Sequence, residues 1–291
     1  MHSKYLLGIL AVIFGAIALS FTGLLMRNVE VADAWQILFY RSIGMIFTMS
    51  VFLILTQRAK FFISLKNIGW RGFLAAFLVG PSFGLYILAL TMSSVAEVSF
   101  VISTLPLFTA LLAWIFLKEN VGRSTWVAVF IVLVGISIML TDTVTQGGQW
   151  LGIVVAFGVP STFAATIVLI RSGRDTDMLP AIWIAGFIAL AMAIGLSGGN
   201  ISSIPSNDIW LGILMGGILG VGFSFYTVGA RYVPAAQVGL LALLEQVFNP
   251  IWAWAGVGEV PTVLVLVGGL VVLGAILVRS VMGVIDEKNN V

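Results

Sequence analysis

Apolar segments of about 20 residues follow one another along this chain, and they constrain its fold more than any other feature. An α-helix of that length crosses the hydrocarbon core of a bilayer, where every backbone polar group must be satisfied within the helix. Charged residues and turn clusters divide the sequence into ten such segments, which predicts ten transmembrane helices. They cover residues 5–26, 34–56, 68–90, 94–117, 124–141, 149–170, 178–197, 209–230, 233–257 and 261–283.

The composition is that of a protein dissolved in lipid. Charged residues make up 9% of the chain and the mean hydropathy is +1.14, whereas a soluble protein carries about a quarter charged residues. The absence of cysteine excludes disulfides, thiolate metal sites and thiol nucleophiles. The single histidine, His2, lies outside the apolar segments. We therefore expect an all-α integral membrane protein without catalytic residues, metal or cofactor, and not an enzyme.

The distribution of basic residues predicts the orientation. Lys and Arg residues next to transmembrane helices stay on the cytoplasmic side. With ten helices, Arg27 alone falls on one side and Arg41 lies inside a segment, so both termini are predicted to be cytoplasmic, in the inner (plasma) membrane. The other side holds Lys4, Arg58, Lys60, Lys66, Arg71, Lys118, Arg123, Arg171, Arg174, Arg231, Arg279 and Lys288.

An internal repeat appears when the chain is shifted by 140 residues. Positions 80–119 then align with 220–259 with nine identities, where roughly three are expected by chance. Five helices per half is an odd number, so equivalent helices cross in opposite directions. The expectation is two inverted five-helix repeats, 1–143 and 144–291, in one membrane domain. The identities are Gly80/Gly220, Phe83/Phe223, Tyr86/Tyr226, Ala96/Ala236, Val98/Val238, Phe108/Phe248, Ala113/Ala253, Trp114/Trp254 and Glu119/Glu259.

Three stretches give the chain a family resemblance: Phe39-Tyr40-Arg41, residues 96–119 and residues 236–259. In these the sequence resembles the drug/metabolite transporter superfamily, in its ten-helix EamA-type branch. The resemblance implies export of amino acids, other metabolites or toxic compounds by alternating access through a central cavity between the halves. One position departs from the pattern, because Gln246 follows Glu245 where family members often have a proline.

The ninth apolar segment carries a polar stripe. Glu245 lies near its middle, and Gln237, Asn249 and Trp252 share its helix face by their spacing. Charged groups inside a membrane are costly and usually mark a transport pathway. A carboxylate with two amides suits a cation, an amine or a transported proton, although Glu245 could equally be a structural ion-pair partner or be kept neutral by burial.

Two further charges lie within or near the apolar segments. Arg41 could hold a substrate carboxylate with its rigid guanidinium, or it could bond to carbonyls of neighbouring helices or pair with Glu97. Glu97 is placed at the mouth of the cavity, and the alternative is an acid that is merely solvated near the interface.

Aromatic, proline and glycine residues complete the pattern. Tyr86 and Tyr226 occupy equivalent positions and are predicted to line the cavity, with anchoring at headgroup depth as the alternative. Glycines at four-residue intervals in the eighth segment, Gly212, Gly216 and Gly220, indicate close helix packing. Candidate breaks in the helices are Pro81, Pro106, Pro160 and Pro250.

The hypothesis is a secondary transporter, an exporter of an amino acid or an amphiphilic or amine compound, working by alternating access. Its partners would be the small-molecule substrate, the lipid bilayer and a proton as coupling ion, without nucleic acid; the sequence gives no oligomeric state. A facilitative channel or a scaffold is the alternative, followed by an intramembrane lipid-modifying enzyme. The predicted substrate-binding residues are Glu245, Arg41, Tyr86, Tyr226, Gln237, Asn249, Glu97 and Trp252.

Overall fold

The computed structural model of the chain describes residues 2–57, 65, 68–118, 123–145, 150–171, 178–230, 232–233 and 235–289. Over these ranges it is helical, without a β-strand, and contains twelve α-helices. They are α1 His2–Ser20, α2 Thr22–Arg27, α3 Ala34–Gln57, α4 Gly69–Met92, α5 Val95–Ile102, α6 Leu105–Leu117, α7 Arg123–Thr145, α8 Trp150–Arg171, α9 Met178–Leu196, α10 Ser206–Ala230, α11 Ala235–Val257 and α12 Val263–Asn289.

These helices fit the ten predicted segments, which we number spans 1 to 10. Span 1 comprises α1 and α2, span 4 comprises α5 and α6, and every other span is one helix. Over the described residues, seven spans are long and apolar enough to cross a membrane. Spans 5 and 10 contain the shorter apolar stretches Thr125–Thr141 and Val263–Val278, and span 9 is α11. The ten-helix expectation therefore agrees with the structure, whereas the orientation in the membrane stays a prediction.

Of the four prolines predicted to interrupt helices, only Pro106 lies next to a break within the part of the chain that the structure describes. Pro106 lies in the first turn of α6, just after the break in span 4. Span 1 breaks at Phe21, where the sequence has no proline, and Pro81 and Pro160 lie inside uninterrupted helices, as does Pro250. Neighbouring groups can satisfy the carbonyl that a proline frees, so proline alone does not interrupt a membrane helix.

Small residues let the helices in the middle of the bundle approach closely. The Cβ of an alanine at Gly212 would lie 2.8 Å from the Cβ of Tyr40, and one at Gly216 would collide with the carbonyl oxygen of Arg41. The glycines of α10 thus face α3, as the spacing predicted. This close contact fixes the depth of Arg41, whose backbone lies against α10.

Helix contacts in the two halves correspond to each other. In the predicted repeat, each span of the first half corresponds to the span five places later. Span 3 packs on span 6, and correspondingly span 8 packs on span 1. Span 2 packs on span 8, and correspondingly span 7 packs on span 3. A Cβ at Gly80 would lie 3.1 Å from the carbonyl oxygen of Ala185, and one at Gly220 would lie 3.1 Å from that of Met45. Gly220 lies 140 positions after Gly80, and Ala185 lies 140 positions after Met45, so the two contacts correspond to each other in the repeat. The inverted repeat itself stays a prediction.

Candidate functional site

Two side-chain hydroxyls next to the break in span 1 form local hydrogen bonds. The hydroxyl of Ser20 donates to the carbonyl of Ile17 at 2.6 Å, and that of Thr22 donates to the carbonyl of Leu19 at 2.9 Å. Hydroxyls that bond to nearby carbonyls compete with the regular helix. The backbone N–H of Gly23 follows directly and donates to a side chain of span 9, described next.

Asn249 of α11 connects four spans. Its Oδ1 accepts the N–H of Gly23 in span 1 at 2.9 Å. Its Nδ2 donates to the hydroxyl of Tyr86 in span 3 at 3.2 Å and to that of Ser99 in span 4 at 3.0 Å. The side chain is buried, with 1% of its surface exposed. Asn249 is thus the point at which span 9 is joined to both broken spans.

Trp252 holds the same break from the next turn of α11. Its indole Nε1 donates to the hydroxyl of Ser20 at 2.9 Å. The indole ring stacks on Phe21, with 4.8 Å between ring centroids, and on Phe248, with 5.7 Å. Together Trp252 and Asn249 contact the residues on both sides of the break.

Arg41 is a buried cation between two aromatic rings. Its guanidinium carbon lies 5.6 Å from the ring centroids of both Phe83 and Tyr86, within the range of cation–π attraction. Its Nη1 donates to the carbonyl of Phe83 at 3.5 Å. Among the described residues its Nε has no hydrogen-bond partner. Buried donors are almost always paired, so the Nε of Arg41 is an exception within the part of the chain that the structure describes.

Glu245 lies close enough to Arg41 to interact with it electrostatically. It is partly buried in α11, and its carboxylate lies within electrostatic range of Arg41, Tyr86 and Tyr226. The side chain of Gln246 hydrogen-bonds to it. The structure therefore brings together four of the predicted site residues, which come from spans 2, 3, 8 and 9.

An aromatic cluster adjoins this centre, and the sequence analysis did not assign it to the site. The rings of Phe163 and Phe223 stack with 6.3 Å between centroids and an angle of 9°. Phe83, which contacts Arg41, lies 6.1 Å from Phe223 and 6.3 Å from Phe163. The identity of Phe83 and Phe223 in the repeat was the available signal. Phe163 has no comparable sequence signal.

Glu97 lies at the outer end of the bundle by the predicted orientation, where α5 begins. Its carboxylate accepts hydrogen bonds from the hydroxyls of Ser93 and Ser94 at 2.6 and 2.8 Å. Ser94 in turn caps the N–H of Glu97, which completes a capping box. These contacts give Glu97 a structural task at the start of a helix. Gln237 belongs to α11, but its side chain lies outside the described residues.

An ion pair and three further hydrogen bonds connect several segments at the same end of the bundle. Glu259 pairs with Arg27, and it also accepts the backbone N–H of Val95 at 2.7 Å. Arg27 donates in addition to the carbonyls of Leu90 and Ser93, both at 2.6 Å. We call this group, made of Arg27, Glu259, Leu90, Ser93 and Val95, the outer latch. It joins spans 1, 3 and 4 to the loop between spans 9 and 10.

Asp208, at the start of span 8, holds the loop between spans 1 and 2. Its carboxylate accepts the backbone N–H groups of Glu30, Val31 and Ala32 at 2.9 to 3.2 Å. Like the outer latch, it is a long-range contact that no local pattern in the sequence indicates.

Comparison with known proteins places this architecture in a family. The sequence model of the EamA-like transporter family matches the chain twice, over residues 6–141 and 150–281. The chain belongs to the EamA-like transporter family. It is therefore a multi-pass membrane protein of the drug/metabolite transporter type, whose partners are a small-molecule substrate and the lipid bilayer.

Individual relatives carry the names of transporters. Over 69% of its length the chain is 26% identical to "Uncharacterized transporter YdfC" of Bacillus subtilis (strain 168), of which it covers 69%. Over 92% of its length it is 26% identical to "Solute carrier family 35 member G1" of Mus musculus, of which it covers 76%. A crystal structure with 16% sequence identity superimposes with a TM-score of 0.60 over 97% of this chain and 98% of that one, which shows a shared fold.

Proposed function

We propose that this EamA-like protein is a secondary transporter that exports a small metabolite bearing both an amine and a carboxylate, by alternating access. The observation that carries the proposal is the group of Arg41, Glu245, Tyr86 and Tyr226 around one centre in the bundle. Ionisable groups inside a membrane are costly and characteristically mark a substrate or ion pathway.

The chemistry of the centre supports this substrate class. The flat guanidinium of Arg41 has an unpartnered Nε among the described residues and suits a carboxylate. The carboxylate of Glu245 suits an ammonium group, and the aromatic rings beside Arg41 offer an apolar surface for a side chain. Opposite charges on the two sides of the centre favour a zwitterion over an amine or an acid alone.

The corresponding helix contacts of the two halves support alternating access with inverted halves, and the basic residues support both termini in the cytoplasm. Transporters of this design move one half against the other around a fixed central site. The corresponding contacts of Gly80 with Ala185 and of Gly220 with Met45 are those expected when two five-helix units, 1–143 and 144–291, face each other. In this proposal a proton that binds Glu245 is the coupling ion, and the membrane is the inner membrane.

A matched trio of labelled compounds tests the substrate class in proteoliposomes. L-leucine carries both charged groups, isoamylamine lacks the carboxylate, and isocaproate lacks the amine. We expect uptake of L-leucine to exceed that of both analogues at least tenfold, because each analogue leaves Arg41 or Glu245 without a partner. Equal uptake of isoamylamine and L-leucine would remove Arg41 from substrate binding.

A charge-removing substitution tests the role of Glu245. Glu245→Gln is expected to lower L-leucine uptake at least tenfold and to abolish its dependence on a pH gradient, because the amide neither attracts an ammonium nor takes up a proton. The control is Glu30→Gln, the same change at an exposed loop position. If uptake by Glu245→Gln equals that of the wild type at every pH, Glu245 has no part in the mechanism.

Labelling of a single cysteine separates a carrier from a channel or a scaffold. The chain has no natural cysteine, so Glu245→Cys introduces a unique thiol at the centre. A charged, membrane-impermeant thiol reagent is expected to reach it from one side of the membrane at a time. Simultaneous access from both sides would indicate a channel.

A further inference from the structure

We propose that Asn249 is a positioning residue of the transporter: its amide holds Tyr86 against Arg41 and fixes the break in span 1. The inference rests on the function proposed above, and it gives Asn249 a task other than substrate contact. The substrate would meet Tyr86 and Arg41, whose arrangement Asn249 sets.

The hydrogen-bonding capacity of Asn249 is already in use. An asparagine amide has two N–H donors, and here they go to the hydroxyls of Tyr86 and Ser99. The carbonyl oxygen accepts the backbone N–H of Gly23. With 1% of the residue exposed, neither donor is left for a ligand. The same side chain predicted from its spacing to bind substrate is thus engaged by three other spans.

Tyr86 transmits the effect of Asn249 to the centre. The ring of Tyr86 lies 5.6 Å from the guanidinium carbon of Arg41, and its hydroxyl, at the far end of the same ring, is held by Asn249. Fixing both ends of the ring fixes its angle to the guanidinium. Cation–π attraction depends on the cation lying over the ring face. Loss of the hydroxyl contact therefore lets the ring of Tyr86 turn and leaves the position of the Arg41 guanidinium less fixed.

The space beside Gly23 in span 1 accommodates the side-chain amide of Asn249. A Cβ at Gly23 would collide with Oδ1 of Asn249 and would lie 2.5 Å from Cγ1 of Val95. Glycine is therefore required for the side chain of Asn249 to reach the backbone of span 1. The three groups bound by Asn249 come from spans 1, 3 and 4 of the first half, which the proposed mechanism must move relative to span 9 of the second half, so its bonds couple the shape of the centre to the first broken helix.

Two independent measurements test the proposal, one of them without any substrate. Hydrogen–deuterium exchange of residues 20–27 in lipid nanodiscs reports the protection of the Gly23 amide. Asn249→Ala should speed exchange in this segment at least tenfold, because the N–H loses its acceptor. Asn249→Asp should keep the protection, since a carboxylate accepts the same N–H and the hydroxyl hydrogens of Tyr86 and Ser99.

Transport kinetics with L-leucine in proteoliposomes test the link to Tyr86. Asn249→Ala and Tyr86→Phe should each raise KM about tenfold, with kcat changed less than about twofold. The double variant should raise KM no further than either single one, because both changes break the same contact. Ser82→Ala is the control: it removes another buried hydroxyl of α4, whose bond is to its own helix at Val79.

Each outcome decides the question. Faster exchange in Asn249→Ala together with non-additive KM effects supports the proposal. Unchanged exchange, or KM effects that multiply in the double variant, overturns it. If the wild type transports none of the three labelled compounds, the proposed substrate class fails, and the exchange of Asn249→Ala against Asn249→Asp then decides alone whether Asn249 fixes the break.

Discussion

The two halves of the chain differ in the continuity of their helices. Spans 1 and 4, both in the first half, are each split into two helices. Their counterparts in the predicted repeat, spans 6 and 9, are the continuous helices α8 and α11. Proline does not explain the difference, because Pro160 and Pro250 lie inside the continuous helices.

Hydroxyl side chains do not separate the split helices from the continuous ones either. At both breaks they donate to carbonyls three residues earlier. Continuous helices contain the same kind of bond: Thr162 of span 6 donates to carbonyls three and four residues earlier, and Ser82 of span 3 donates to a carbonyl three residues earlier. The bonds at the breaks are Ser20 to Ile17, Thr22 to Leu19, Ser103 to Phe100 and Thr104 to Val101.

The difference between the halves extends to polarity. Glu245 has Leu105 as its counterpart under the 140-residue shift, and Asn249 has Thr109. The same shift, which relates Ala185 to Met45, relates Arg41 to Ala181. The second half thus supplies the continuous helix whose side chains hold the broken helices of the first half. In our proposal the substrate lies between two unlike surfaces of a symmetric scaffold.

The largest expected effect comes from changing the shape of the central cation. Arg41→Lys keeps the charge but loses the flat group that lies against Phe83 and Tyr86. We expect KM for L-leucine to rise about thirtyfold, since a buried cation–π contact contributes about 2 kcal/mol.

Arg71→Lys is the matched control for this change. Its guanidinium carbon also lies 5.6 Å from an aromatic ring, that of Trp70, which is 68% exposed. There we expect KM within about twofold of the wild type, because exposed contacts of this kind are weak. Equal effects at both positions would mean that the centre does not depend on the geometry of Arg41.

The sequence predicts the spans and the centre well because both are strongly constrained by the lipid. A charge within an apolar segment is unfavourable unless it has a purpose, so Arg41 and Glu245 could be singled out, and the structure brings them together. Tyr86 and Tyr226 followed from their identity in the repeat. These signals are local or periodic, and hydropathy and spacing can be read without knowing which helices are neighbours.

The outer latch and the break in span 1 could not be predicted, because they depend on contacts between residues far apart in the sequence. Arg27 and Glu259 are 232 positions apart in the chain, and each alone looks like an ordinary charge at a helix end. The break at Phe21 requires Asn249 and Trp252 from span 9. Only the run Ser20-Phe21-Thr22-Gly23 inside an apolar segment gave a hint, since hydroxyls and glycine weaken a helix locally.

A smaller effect is expected from adding one methyl group to each kind of helix. Gly23→Ala at the break would press on Asn249 and on Val95, and overpacking of this kind lowers the free energy of unfolding by about 1 to 3 kcal/mol. The comparison is Gly158→Ala in continuous span 6, where the three atoms nearest to the added Cβ all belong to the flexible end of Leu85.

Thermal unfolding followed by tryptophan fluorescence measures both variants. We expect a lower Tm for Gly23→Ala than for Gly158→Ala, with L-leucine uptake reduced in the first variant alone. The reverse order of Tm would show that the break in span 1 tolerates a larger residue and is not shaped by the side chain of Asn249.

The smallest effect is expected at the outer latch, where the end of span 1 meets the loop between spans 9 and 10. The side chains of Arg27 and Glu259 are 25% and 20% exposed. A partly exposed pair of this kind contributes about 1 kcal/mol, which corresponds to about a fivefold change in an equilibrium. Removing it should favour opening of the outer end, because Arg27 also holds the carbonyls of Leu90 and Ser93.

Labelling of Val98→Cys, three residues after Val95 in α5 and buried, measures this opening in the otherwise cysteine-free chain. In the Arg27→Gln background, we expect a membrane-impermeant thiol reagent added from outside to react about five times faster than in the parent. The control, Lys4→Gln, removes an exposed charge near the start of span 1 and should leave the rate unchanged. An equal rate with and without Arg27 would mean that the broken first helix is closed by Asn249 and Trp252 alone, and that the junction of the halves does not govern entry.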